Sequence, residues 1–390
     1  MKELIENIYD AIYASLHDLK YSKEIKDQRS FTKAIIENGL CGLVFESLDL
    51  SVIDTYYQKL LRQTYYHYIS RDLSQQITLL ELKALLNKEA INYILLKGSH
   101  IKNEYPKTYM RGMTDIDLLV EEHAYKKANK ILKINGYQLT SRHYYHNTYL
   151  SKEKEHIELH PFIQHDFDQD YDAMFLDPFK HVKIENSYEK TFNPEYELNY
   201  LLYHLVKHIE NGGIGLRSIL DIYLFTKHHE LNAAYLNILL KKTKLKSFYE
   251  LIISLHNYYL HDDIKMNHFD FDQYHTNDYE KIIKVMLKTG VHGKGTSNDA
   301  YQNIINNRSI DSLNDKFKYL LKSMFPSHRM ISSRFKIIKY IPILLPFYWI
   351  YRWFKLAFVK TSVSIHKLKE LINHKKSEEN HLTDFHIKDE

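Results

Sequence analysis

The chain has 390 residues, 44% hydrophobic and 26% charged with a net charge of +4, a balance that suits a folded protein and excludes a disordered one. Its 11 glycines and 7 prolines exclude collagen-like and low-complexity classes and disfavour an all-β fold, which needs a turn residue roughly every 8–12 positions. The single cysteine, Cys41, permits neither an internal disulfide nor a cysteine-based zinc site, and no apolar leader follows Met1, so the sequence reads as cytoplasmic.

Residues 1 to about 89 read as helices. Ile5, Ile8, Ile12, Leu16 and Leu19 recur at helical spacing, and Leu73, Ile77, Leu80 and Ala84 do so again behind Asp72 as an N-cap. At Ile91 the pattern changes. Tyr93 to Leu96 is a short apolar run that enters a turn at Lys97-Gly98 and predicts a buried strand. Asp115-Ile116-Asp117-Leu118-Leu119-Val120 predicts a second strand, and 121–135 a helix closed by Gly136. Strands are predicted at 137–141 and 143–150, and the strict alternation of His156-Ile157-Glu158-Leu159-His160 predicts another, half-buried. After Pro161 the pattern is helical, with one helix over 195–210, a break at Asn211-Gly212-Gly213, a second over 216–228, and further helices to about 325.

Residues two apart on a strand share a face, so Asp115 and Asp117 present two carboxylates side by side while Ile116 and Leu118 face the core. Like charges so placed repel, and a divalent cation removes the conflict; Mg²⁺ prefers such oxygen ligands together with substrate phosphates. Glu158, on another alternating strand, is the third acid of a set that could hold two ions for in-line phosphoryl chemistry. Gly98 lets the backbone approach a phosphate and Ser99 offers a hydroxyl. Arg111 is a planar fork for phosphate oxygens, and Lys97 is a weaker candidate because it could face away from the site. Taken singly, an Asp-x-Asp strand or a Gly-Ser turn is common; the order strand, Gly-Ser, loop, Asp-x-Asp strand, helix, acid-bearing strand carries the specificity.

That order resembles the DNA polymerase beta-like nucleotidyltransferase superfamily. More closely, Leu96-Lys97-Gly98 followed by Arg111 to Val120 is similar to a family of uncharacterised nucleotidyltransferases with an LKG string and an R-x-x-x-D-I-D-L-L-V string. Scattered similarity extends through Ile157 to His160, Leu201 to His208, Leu216 to Ile222 and Phe325-Pro326. Fifteen residues separate Ser99 from Asp115, more than is usual in the superfamily, and Gly112 stands where a proline often follows the family arginine. The resemblance implies an α+β fold: a small mixed β-sheet nucleotidyltransferase core at 86–165, between helical regions at 1–85 and 166–325, with a basic aromatic segment and polar tail at 326–390. It implies Mg²⁺-dependent use of an NTP, with Asp115, Asp117 and Glu158 as catalytic and metal-binding residues and Gly98, Ser99, Arg111 and Lys97 around the nucleotide. It leaves the acceptor open: a sugar, a lipid-linked molecule or a macromolecule, with a role in surface polysaccharide as one setting.

His204 and His208, at i, i+4, are read as polar residues of a helix wall rather than metal ligands. Arg217 and Asp221, at the same spacing, are read as an intrahelical ion pair or as a pair closing over the nucleotide or acceptor. From Lys316 to Lys369 there are twelve Lys or Arg and no acid, which leaves 41 basic against 49 acidic residues elsewhere. Within it, 334–360 carries Tyr348, Trp349, Tyr351 and Trp353 beside Arg352 and Lys355, and its twelve uncharged residues between Lys339 and Arg352 fall short of the ~20 a span needs. Packing on the chain's own helices and contact with an anionic membrane, peripherally at its inner face, are the two readings of this segment, with nucleic acid a lesser third. The rivals to the preferred function are a toxin-type nucleotidyltransferase acting on RNA, an Asp-x-Asp glycosyltransferase, and a non-catalytic nucleotide or membrane binder. A glycosyltransferase would need a longer αβ repeat before the motif, where this chain has helices.

Overall fold

Apolar residues alternate along the central strands, and the fold grows from covering both of their faces. The computed structural model describes residues 1–143, 145–163, 174–183, 187–211, 213–290 and 342–350. Chain contacts divide the protein into one unit over Met1–Ser309 and another over Ile310–Glu390.

The first unit opens with helices α1 (Lys2–Leu16), α2 (Gln28–Glu37), α3 (Cys41–Val44) and α4 (Thr55–Lys88). Strand β1 (Tyr93–Leu95) leads through the short α5 (Gly98–Ile101) to β2 (Asp115–Val120), then α6 (Tyr125–Ile134), β3 (Gln138–Arg142), β4 (Asn147–Leu150) and β5 (His156–His160). A two-residue strand β6 (Glu189–Lys190) precedes five helices: α7 (Pro194–Asn211), α8 (Leu216–His228), α9 (Ala233–Lys242), α10 (Lys246–Tyr259) and α11 (Thr276–Thr289). The six strands form one sheet in the order β3-β4-β5-β2-β1-β6. It is mixed: β2 runs parallel to β5 and β1 to β6, and the other pairs are antiparallel. The α+β class expected from the sequence is therefore the class observed.

One sheet face carries Ile116, Leu118, Val120, Tyr149, Ile157 and Leu159, packed on Leu79, Leu82 and Leu86 of α4 and Ala128, Ile131 and Leu132 of α6. The other carries Ile94 and Leu119 against Tyr196 and Tyr200 of α7. Each fully buried Leu or Ile contributes roughly 1.5–3 kcal/mol. A one-residue slip of β2 would turn Asp115 and Asp117 into the first of these cores, so the hydrophobic pattern fixes the register. A third core joins α1 to α3 with α7 to α11.

Two expectations fail here. Asp72 is no N-cap: α4 starts at Asp54, whose side chain accepts from the Tyr56 N–H, and continues through Asp72 without a break. Its predicted apolar stripe points outward, with Leu73, Ile77 and Leu80 exposed, while Asp72, Gln75 and Thr78 are buried. Helical spacing identifies a stripe but not the side that tertiary packing covers, and here Lys102 pairs with Asp72 and draws a polar side inward. The chain after Pro161 is also not wholly helical, because β6 extends the sheet beside β1.

In the second unit, Pro342–Leu344 forms a 3₁₀ turn that continues as helix over 345–350. The rest of the basic aromatic segment 334–360, including Trp353 and Arg352, lies outside the described residues, as does the polar tail. Among the described residues no helix is long and apolar enough to cross a membrane.

Candidate active site

The turn after β1 sets the site. The Ser99 N–H donates to the Leu96 carbonyl at 3.1 Å, and Lys97 stands at φ 50°, ψ −126°, the second position of a type II′ turn. Glycine is usual at that position; a side-chain-bearing residue there costs about 1–3 kcal/mol, and such strain concentrates at functional sites. The strain turns Lys97 inward, and its ammonium donates to Asp117 Oδ1 at 2.7 Å. Lys97, the weaker candidate because it could have faced away, thus points toward Asp117. Gly98 comes next because a Cβ there would collide with the Arg111 guanidinium. Ser99 is buried, and its hydroxyl accepts the Asp117 backbone N–H at 3.0 Å, which pins the middle of β2.

Parallel pairing of β2 with β5 sets Asp117 beside Glu158 and Asp115 beside His156. Both Asp117 and Glu158 touch one imidazole: His160 Nε2 lies 3.1 Å from Asp117 Oδ1 and 3.3 Å from Glu158 Oε2. From the β3–β4 hairpin, His146 Nε2 reaches to 3.4 Å from Glu158 Oε1. Three of the predicted residues, Asp115, Asp117 and Glu158, therefore share one sheet face, with Lys97 over them.

The charges are unequally balanced. Burial opposes ionisation of Asp117, but Lys97 and then His160 outweigh it and hold the carboxyl well below the usual range. Burial likewise works against the Lys97 ammonium, and Asp117 more than compensates, so its pKa is raised. His160 is raised too, its burial overcome by the hydrogen bonds to Asp117 and Glu158. Among the described residues Asp115 makes no ion pair: burial, then Glu158 and Asp117 as like charges, push its carboxyl up, against a hydrogen bond from Thr114 and the influence of His156, both of which favour the anion. A face with three carboxylates and an unrelieved like charge suits a divalent cation.

Arg111 is placed differently from the sequence reading. Its Nη2 donates to Asp221 Oδ2 at 2.7 Å and its Nε to Oδ1 at 3.3 Å, while the Tyr105 hydroxyl donates to the same Oδ1 at 2.8 Å. The expected intrahelical Arg217–Asp221 pair does not form; Arg217 Nη1 donates instead to the Gly112 carbonyl at 2.7 Å, and its buried Nε has no partner among the described residues. Asp221 is drawn away by Arg111, which arrives from the loop before β2. His204 and His208 lie on α7 with their Nε2 atoms 2.8 Å apart. Burial, then the Lys97 charge, push the His204 imidazole well down, which keeps it neutral.

The sequence reading gave no role to His146 or His160. His160 was within reach, because it stands two residues beyond Glu158 on an alternating strand and so shares its face. His146 was not, because only the pairing of Thr148 with Glu158 across the hairpin reveals its side.

The profile of a family described as uncharacterised nucleotidyltransferase matches residues 25–261. No curated protein matches the chain significantly. Among solved structures, the solution structure of the antibiotic-resistance factor ANT(2'')-Ia is 14% identical, covers 48% of this chain and 99% of its own, and has a TM-score of 0.33. An antigenic nucleotidyltransferase-like protein from Paracoccidioides brasiliensis is 17% identical, covers 50% of this chain and 95% of its own, and has a TM-score of 0.32. At these scores the likeness adds nothing to the family match.

Proposed function

We propose that this chain, which belongs to the uncharacterised nucleotidyltransferase family, binds an NTP with a divalent cation, Mg²⁺ in the first instance, and moves the nucleotidyl group to a hydroxyl or phosphate acceptor. Family membership makes it an enzyme, a nucleotidyltransferase. The observation that carries the finer reading is the gathering of Asp115, Asp117 and Glu158 on one sheet face beneath a strained Lys97 turn.

In this reading Asp115, Asp117 and Glu158 hold the metal, two ions being the natural number for three carboxylates. The ions, when bound, neutralise the phosphates and favour the acceptor oxygen's anion. Lys97 keeps Asp117 ionised and places a positive charge where the triphosphate approaches. The Gly98 backbone and Arg111 line the triphosphate's path, with Arg111 steadied by Asp221. Ser99 serves through Asp117, fixing its backbone. The acceptor oxygen attacks the α-phosphorus, Glu158 takes the acceptor's proton, and the bond to pyrophosphate breaks on the opposite side. The acceptor belongs to the sugar, lipid-linked or macromolecular classes, with surface-polysaccharide metabolism as the setting that first merits a trial.

The test is incubation with α-labelled NTPs, Mg²⁺ and acceptor pools, followed by mass spectrometry for the added nucleotidyl mass. Wild type should label an acceptor and Asp115→Asn should not. Equal labelling by both would sink the assignment.

A further inference from the structure

On the same sheet face, three side chains converge at a point the nucleotidyl-transfer reading leaves half described. One ring nitrogen each of His146 and His160 and one Glu158 oxygen lie within 4.8 Å of one another. His146 comes from the β3–β4 hairpin; Glu158 and His160 come from alternate positions of β5. We infer that His146, Glu158 and His160 form a binding site for a transition-metal ion of the Zn²⁺ type, distinct in preference from Mg²⁺.

Donor chemistry comes first. Imidazole nitrogens suit Zn²⁺ and its first-row neighbours, whereas Mg²⁺ takes oxygen ligands and water. Two imidazoles and one carboxylate are a set found at zinc sites that keep a fourth position open. Geometry leaves room for the ion. Glu158 Oε2 lies 3.3 Å from His160 Nε2 and Oε1 lies 3.4 Å from His146 Nε2, so the two imidazoles meet the two oxygens of one carboxylate, and with one atom from each residue the donors lie within 4.8 Å of one another. Tetrahedral bonds of about 2.0–2.1 Å hold donors roughly 3.3–3.4 Å apart, so side-chain rotation closes the set on one ion. A further donor is at hand, since Asp117 Oδ1 is 3.1 Å from His160 Nε2, although Lys97 also holds that oxygen.

His146 is 9% exposed, and Nε2 is the ring nitrogen that faces Glu158. Among the described residues its Nδ1 finds no hydrogen-bond partner, so Nδ1 can carry the ring proton and leave the Nε2 lone pair for an ion. His143 and Tyr145 wall the imidazole in, with ring centroids 4.8 and 5.4 Å away. Among the described residues the other histidine pair, His204 and His208, has no carboxylate as a hydrogen-bond or ion-pair partner.

The inference rests on reading this sheet face as a cation site, and its test reads binding rather than turnover. Full-length chain stripped with chelator is titrated with Co²⁺, then with competing Zn²⁺ and Mg²⁺. One equivalent of Co²⁺ should give the intense visible absorption of a four-coordinate ion. Zn²⁺ should displace it at least about 100-fold more effectively than Mg²⁺. His146→Ala and His160→Gln should each lose at least about 100-fold in Zn²⁺ affinity, since even partners behind a ligand are worth 10–100-fold. His208→Ala should keep wild-type affinity. Thermal melting of the metal-free variants confirms that they fold. A folded His146→Ala with wild-type Zn²⁺ affinity, a weak six-coordinate Co²⁺ spectrum, or loss of binding in His208→Ala would each overturn the site. Mg²⁺-supported labelling without the Co²⁺ signature would sink this inference alone. The Co²⁺ signature without labelling would sink the nucleotidyl-transfer reading alone.

Discussion

Asp72 and Asp117 are both buried carboxylates touched by a lysine ammonium, Lys102 in the one case and Lys97 in the other. Their exposures, 7% and 6%, do not separate them. Their surroundings do. Asp72 on α4 is closed: besides Lys102 it accepts from Gln76 at 2.6 Å and from the Thr108 hydroxyl at 2.7 Å. Asp117 shares His160 with Glu158, faces Asp115 as a like charge, and owes its lysine to a strained turn. A buried ion pair is therefore weak grounds for a function. A carboxylate that faces like charges and owes its cation to backbone strain is stronger grounds.

The largest test of this contrast is Asp117→Asn. It removes a proposed metal ligand, and nucleotidyl transfer should fall roughly 10³-fold or more, about 4 kcal/mol at the transition state. It also leaves the Lys97 charge buried without its partner, so the metal-free protein should melt lower. Asp115→Asn should lose transfer to a similar degree yet melt at or above wild type, because it relieves repulsion that burial has sharpened. Calorimetry of both metal-free variants decides. Equal destabilisation in the two would erase the distinction drawn between the aspartates.

Asp72→Asn supplies the opposite profile. It strands the Lys102 charge in the core, which costs about 3–5 kcal/mol, a Tm drop on the order of 10 °C. Turnover per folded molecule should not change. A fall in kcat, measured well below the lowered Tm, would give the closed pair a part in the chemistry.

The strain at Lys97 can be weighed directly. Lys97→Gly and Lys97→Met both remove the ammonium, but glycine adopts a positive φ without penalty. The glycine variant should be the more stable of the two by about 1–2 kcal/mol, and both should lose activity. Equal stability in chemical denaturation would show that the turn stores no strain.

Glu197 gives the smallest effect, as a buried acid whose nearby cation, Lys183, does not offset its burial. Burial, and then the charge on Glu104, raise its pKa from 4.5 to about 8, and its Oε2 lies 3.5 Å from His100 Nε2, whose own pKa burial lowers. The folded chain then binds a proton that the unfolded chain has released between about pH 4.5 and 8, so this group's contribution to stability declines as pH rises through that window. Glu197→Gln should flatten the decline and raise Tm by about 3 °C or more at pH 8.5, with little change at pH 5. A pH-independent difference between the two proteins would place the effect elsewhere.

Local order was legible along the chain wherever one period governed it. Alternation fixed the faces within 115–120 and within 156–160, which set Asp115 beside Asp117, while only the family resemblance suggested Glu158 on the same side and only the pairing of β2 with β5 put it there. Glycines marked the end of the helix over 125–134 and the approach to that over 216–228 to within a few residues. What tertiary structure decided was pairing between elements. Lys97 meets Asp117 because of a turn whose backbone departs from what its residue prefers. Arg111 takes Asp221 from Arg217 across 110 positions of sequence, and α4 buries Asp72 instead of Leu73 because Lys102 waits on the other side. Periodicity records which side chains share a face; it holds no record of what packs against that face, because those contacts are set by the sum of distant surfaces competing for burial.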